Sequence, residues 1–323
     1  MEKQRSGFLS GSFLRELVLA SLAVLLVALA PFVGAIVLIF IPLPVLFYYS
    51  KNGRARGLAF LAVALSIAAL VAANIFHASN ALPPLVIIAL LGIIMAEAMK
   101  RGYSIEKTVW SSVLAISILG GLFVLYQSIL QGEAPWRLIQ LYAERRIRTS
   151  IDFYTYLNIS SETLKPIKEN IAGIAAFIAG ISPAIAVVSL AFVVWVNLLM
   201  GRAVFQKYGL PYHDFGNLSH WKPPEKMVWY LIAAGVMLLL PDNRTEFIGW
   251  NILIVILYVY LLAGLAIVSF FLKKSAVPAV FRYPIYFLIF AQQVVTMSVV
   301  AAGIFDLWVD FRKLKKTMED STV

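Results

Sequence analysis

The stretch 170–201, NIAGIAAFIAGISPAIAVVSLAFVVWVNLLMG, runs from Glu169 to Arg202 without a charge and is interrupted once, by Pro183. As a helix it would rise about 48 Å at 1.5 Å per residue. That exceeds the roughly 30 Å hydrocarbon core of a bilayer. The stretch is therefore expected to bend or divide near Pro183, whose ring removes an N–H and crowds the carbonyl one turn back. Ala172, Ala176 and Gly180 recur every fourth residue before that point, a spacing that lets helix backbones approach closely in lipid.

Hydrophobic residues make up 61% of the 323-residue chain and charged residues 14%, far from the roughly 45–50% and about 25% of soluble domains. The expected fold class is an all-α, polytopic transmembrane helical bundle with about nine segments, eight to ten being allowed. The absence of cysteine excludes disulfides, thiolate metal sites and cysteine nucleophiles. The formal net charge of +10 comes from Lys and Arg in short loops between apolar spans, the pattern of cytoplasmic loops and of attraction to anionic lipid. No nucleic-acid partner is expected.

Along the chain, Lys3, Arg5 and Arg15 precede an uncharged run over 17–50, and Ala28-Leu29-Ala30 imitates a signal-peptidase site. The run continues past that site, so two membrane helices divided at Pro31 and Gly34 are expected instead. The N-terminus and the loops 51–56 and 100–107 are assigned to the cytoplasm. The uncharged run 57–96 holds two more helices with a turn at 77–84. Ala64, Ala68 and Ala72 form a packing seam on the third helix, and Glu97 an ion pair with its neighbours Lys100 and Arg101. The fifth span is 108–132. A polar segment at 133–169 mixes aromatic and charged residues, as helices lying at a membrane surface do.

Residues 1–206 thus form a six-span region with an outer amphipathic segment at 133–169. A cytoplasmic loop follows at 207–226, a three-span extension at 227–305, and a basic tail at 306–323. Nine crossings from a cytoplasmic N-terminus would put that tail outside, against the charge rule. Two readings stand: 283–305 crosses as a ninth span, which its length favours, or 276–305 is a re-entrant pair of half-helices interrupted at Pro278 and Pro284.

Gly303-Ile304-Phe305-Asp306-Leu307-Trp308-Val309-Asp310-Phe311-Arg312, Gly264-Leu265-Ala266-Ile267-Val268-Ser269-Phe270-Phe271 and Ile181-Ser182-Pro183-Ala184 resemble the YybS-like family of bacterial inner-membrane proteins. The first six spans are also similar in architecture to the substrate-binding S components of energy-coupling-factor vitamin transporters. S components dock on their energising partner through alanines four apart on the first helix, whereas Ala20 and Ala23 are followed here by Val24 and Val27.

Between the span boundaries there is no Asp, Glu, Lys or Arg, which argues against proton-coupled exchange and carboxylate proteolysis within the membrane. Ser182 with His77 lacks any triad motif. His213, Asp214 and His220 lack metal-binding spacing. No enzyme activity, cofactor or metal is expected. Asn74 and His77 share a helix face, with Asn80 just beyond, and Tyr126, Gln127 and Gln131 end the fifth span. These six are the candidate ligand-binding residues beneath a lid formed by 133–169, their plain alternative being polarity common to helix ends. Asn197, Asn251, Gln292, Gln293 and Thr296 are assigned to hydrogen bonds between helices. The expected function is small-molecule binding and transport at the inner membrane. The rival is a scaffold or assembly factor whose tail, with Asp306, Trp308, Asp310 and Arg312, meets a membrane-protein partner.

Overall fold

The computed structural model describes residues 38–74, 82–212, 214 and 216–313, with the backbone alone at 68, 71–74, 82 and 84. Every regular element among them is helical: α1 (Pro42–Asn52), α2 (Arg54–Asn74), α3 (Leu82–Lys100), α4 (Ile105–Gln131), α5 (Pro135–Tyr156), α6 (Ser161–Glu169), α7 (Ile171–Lys207), α8 (Met227–Leu239), α9 (Asn243–Lys274), α10 (Ala279–Ala291) and α11 (Gln293–Val309). One 3-10 turn, η1, covers Leu218–His220. The run 17–37, the turn at 75–81 and the tail beyond 313 lie outside the described residues.

Local chemistry sets many of the boundaries. Ser104 caps α4 by accepting the Lys107 N–H at 3.3 Å, and Gly132 closes that helix in the left-handed region at φ +66°. Pro135 opens α5, where its missing N–H costs nothing. Asp242 caps α9 through the Thr245 N–H at 3.0 Å, and Lys273 and Lys274 close it where the helix dipole favours cations.

The chain forms two compact units, Met1–Gly132 with Ser189–Asp214, and Glu133–Val188 with Phe215–Val323. In the first, α1 packs on α2 and α3, and α3 on α4. Side chains of Ile41, Val45, Leu61, Leu85 and Ala89 form its buried cluster. The approach is close at Gly92, where a Cβ would stand 2.5 Å from the Pro42 carbonyl oxygen. Ala64 is buried as expected of a seam residue. The Asn197 carboxamide, fully buried, donates to the Ile39 carbonyl at 2.7 Å, bonding between elements as expected.

In the second unit α9 is the axis, with α8, α11 and η1 packed on it. Gly264 and Gly303 meet where α9 and α11 cross. A Cβ on Gly264 would run into the Val299 carbonyl, and one on Gly303 into that of Tyr260. Before Pro183, Ala175 and Ala179 are the buried alanines of α7, whereas Ala172 and Ala176 are exposed. The period of four is right and the face differs by one register.

α7 is unbroken over 37 residues and does not divide at Pro183. The hydrogen-bond ladder is repaired from the side. Ser182 Oγ donates to the Ala179 carbonyl at 2.9 Å, the acceptor that a residue other than proline at 183 would have used. Asn251 of α9 spans the next rung, accepting the Ala184 N–H at 2.9 Å and donating to the Gly180 carbonyl at 2.8 Å.

Three described helices, α4, α7 and α9, are long and apolar enough to cross a membrane, and a fourth span results if α10 and α11 count as one. α8 is apolar but has 13 residues, about 20 Å of rise. Residues 283–305 are not one helix. α10 and α11 diverge by 100° at Gln292, whose backbone is extended at φ −112° and ψ 109°. The break lies away from both prolines, since Pro278 caps α10 and Pro284 sits within it. Thr296 Oγ1 donates to the freed Ile289 carbonyl and to Gln292 O.

Candidate functional site

The polar segment 133–169 folds as α5 and α6. On α5, Ile139, Tyr142, Ala143, Arg146, Ile147 and Ser150 follow one another at steps of three and one, so they share a face. Ile151 and Tyr154 continue it. This face, with Ile167 of α6 and Ile178 of α7, lines an open groove of about 430 Å³. The volume lies in the roughly 300–1,000 Å³ range of small-molecule sites.

Its chemistry is lopsided. Isoleucines make the floor, two tyrosines and Ser150 supply hydroxyls, and Arg146 is the one charged group in the lining. The guanidinium of Arg146 lies over the Tyr142 ring at 5.7 Å, a cation–π contact between two side chains of the groove lining. Glu144, on the neighbouring face, is engaged elsewhere: Gln140 Nε2 donates to it at 3.2 Å and Arg137 lies 3.7 Å away. Trp136 anchors the start of α5 edge-on against Phe247 of α9 at 5.2 Å. Ile151 and Leu164 are the buried residues of α5 and α6.

The tail residues meet the 216–222 loop in a second polar cluster. Asp306 Oδ2 pairs with Arg312 Nη2 at 2.7 Å, and Asp306 Oδ1 accepts the Phe311 N–H at 2.9 Å. Arg312 Nη1 donates to the Ser219 and Trp221 carbonyls at 2.8 and 3.0 Å. Lys222 Nζ reaches Asp310 at 2.5 Å and Asp306 at 3.5 Å. Both members of the central pair are buried, so they hold the chain together and are withheld from any other molecule. Trp308, by contrast, is 62% exposed.

At the junction of α1, α2 and α3, beyond the uncharged run, Glu97 accepts Arg54 Nη2 at 2.6 Å, Arg54 Nε at 3.0 Å and the Tyr49 hydroxyl at 2.6 Å. Lys100 lies 3.8 Å away and over the Tyr49 ring. The bonds from Arg54 first, then Tyr49, hold the Glu97 carboxyl down at about 2. The neighbouring Lys100 is thus the lesser partner, and Arg54, 43 positions back, the principal one.

Of the six candidate ligand residues, His77 and Asn80 lie outside the described residues. Asn74 ends α2 and only its backbone is described. Tyr126 is exposed, Gln131 exposed and Gln127 half-buried on α4. Tyr126, Gln127 and Gln131 are not among the residues that line the groove. His213 lies outside the described residues, and His220 packs on the Phe270 ring at 5.6 Å. The signal that finds Arg146 is legible in retrospect: the spacing of Ile139, Ala143, Ile147 and Ile151 marks the groove face, and Arg146 is the cation placed on it.

No curated protein and no solved structure matches the chain, so the likenesses to YybS-like proteins and to S components have no counterpart there. The family described as "Predicted membrane protein (DUF2232)" matches residues 18–307. That span takes in every helix described here except the last two residues of α11, and its apolar helices are those of a membrane protein. The chain belongs to the DUF2232 family of membrane proteins.

Proposed function

We propose that this chain is a multi-pass protein of the bacterial cytoplasmic membrane that binds a small molecule with an apolar body and takes part in its uptake. In its first six spans it would act as S components do. The observation that carries the reading is the groove of α5, α6 and α7, lined mainly by apolar and aromatic side chains with one cation, Arg146. It is a binding protein and not an enzyme. Its partners are the bilayer, the small molecule and a second membrane protein, with no nucleic acid.

The topology we propose has eight crossings and a re-entrant pair. Lys273 Nζ donates to Asn217 at 3.2 Å, and Arg312 to Ser219 and Trp221. The segment 274–312 therefore leaves and returns to one end of the second unit, as a re-entrant α10–α11 pair does and a ninth crossing does not. The basic residues of 202–226, Lys273, Lys274 and the tail then share the cytoplasmic side.

Mass spectrometry of small molecules co-purifying with the protein tests the reading. An apolar compound present with the wild type and lost from Ala143→Trp, which fills the groove, is the expected result. Equal content in both proteins overturns it. The scaffold reading is favoured by a different observation, the exposed Trp229 and Trp308 that with Lys226 flank a shallow depression of about 420 Å³. Loss of a co-purifying membrane protein on Trp308→Ala, with no compound bound to the wild type, would bring it forward.

A further inference from the structure

We infer that the groove of α5, α6 and α7 selects an amphiphile with one apolar chain and a carboxylate head, held by Arg146. This rests on the proposed small-molecule function and names its ligand class.

Three observations converge on that class. Ile139, Ile147, Ile167 and Ile178 offer an apolar channel and no second cation, which suits a body without charge. Arg146 forms no ion pair among the described residues and lies over the Tyr142 ring, which leaves a guanidinium of the kind that matches a carboxylate bidentately. α5 itself carries Arg137, Arg145, Arg146 and Arg148 against Glu144 and Asp152, and Glu144 is already committed to Arg137. The local field thus favours an anion at the water-facing rim. Position supplies the rest. Ile178 lies seven residues into α7, a membrane-spanning helix, so about 10 Å below its start. An occupant reaching from Arg146 to Ile178 runs from a polar helix onto an apolar one, as a chain with a charged head does.

The test uses the whole protein in phosphatidylcholine nanodiscs with a photoreactive diazirine analogue of palmitate and its alcohol counterpart. Crosslinked peptides are mapped by mass spectrometry. The acid should label α5 and the first turns of α7 about tenfold more than the alcohol, the factor expected of a charge-assisted contact. Arg146→Gln should bring the acid down to the level of the alcohol, and Ala143→Trp should block both probes. Helical circular dichroism reports whether each variant is folded, and Arg146→Gln alters no buried group. Equal labelling by acid and alcohol, or no effect of Arg146→Gln, overturns the carboxylate class while leaving a ligand groove in place. Competition by phosphatidylglycerol as strong as by unlabelled palmitate overturns the single-chain class in favour of a bilayer lipid. Absence of label from α5 and α7 with both probes overturns the inference and counts against the groove itself.

Discussion

Asn251 stands across the gap that Pro183 opens in α7, its carboxamide taking the place of the hydrogen bond between the Ala184 N–H and the Gly180 carbonyl. A long apolar helix can hold an internal proline in lipid only when neighbouring groups satisfy the freed backbone. Here Ser182 serves one carbonyl and Asn251 serves the rung above. Asn251 also donates to its own Phe247 carbonyl at 2.9 Å, so both amide hydrogens are used.

Asn251→Ala should therefore destabilise the protein by about 1–2 kcal/mol, the upper range for hydrogen bonds between membrane helices. Restoring the backbone with Pro183→Ala should make the same change at 251 cost less. Thermal unfolding in detergent of the two single variants and the double variant gives the coupling. Additive costs would show that Asn251 does not act through the proline.

Asp306 and Arg312 predict a sharper asymmetry. Arg312→Leu leaves a buried carboxylate facing Lys222 at 3.5 Å alone, and should cost about 3–5 kcal/mol. The paired change Asp306→Leu with Arg312→Leu removes the stranded charge and should recover part of that loss. Denaturant unfolding of the three variants checks the order. If the double variant is the least stable, the pair has a role beyond mutual neutralisation.

Glu97 gives a pH dependence with a definite sign. Its carboxyl titrates at about 2 in the folded protein against an ordinary value of 4.5, so folding favours the ionised form. That contribution is present above pH 4.5 and is lost as the pH falls from 4.5 toward 2. Arg54 is largely exposed, so screening keeps the effect modest and salt should reduce it. In thermal unfolding between pH 5 and pH 2, about the interval of this titration, Glu97→Gln should flatten the wild-type decline. An unchanged slope would assign the decline to other carboxylates.

Much of this was legible from residue order because the bilayer imposes simple rules. Charge-free runs located α4, α7 and α9, and the aromatic and charged mixture at 133–169 marked off the segment that folds as α5 and α6. What sequence could not supply was pairing across distance. The Arg54–Glu97 pair joins residues 43 apart, Arg312 and Ser219 are 93 apart, and no periodicity links them. Residue order makes Gln292 a hydrogen-bonding residue within a span, whereas the chain turns there and the Thr296 hydroxyl takes the freed Ile289 carbonyl. The ligand residues were sought at helix ends, where polarity is conspicuous. The groove face of α5 carries Ile139, Ile147 and Ile151 among Tyr142, Ala143, Arg146, Ser150 and Tyr154, a mixture that no single motif marks.

The last prediction concerns the sidedness of 275–313. Arg312 bonds to the 219–221 backbone and Lys273 to Asn217, so the entry to α10 and the exit from α11 lie at one end of the second unit. A straight crossing would separate them by about 30 Å of hydrocarbon. The chain has no cysteine, so single cysteines report position cleanly. Arg54→Cys, Ser275→Cys and Lys313→Cys should all resist an impermeant thiol reagent in intact cells and react once the membrane is permeabilised. Gly132→Cys, at the outer end of α4, should react in both conditions. Modification of position 313 but not 275 in intact cells would restore the ninth crossing and place the basic tail outside.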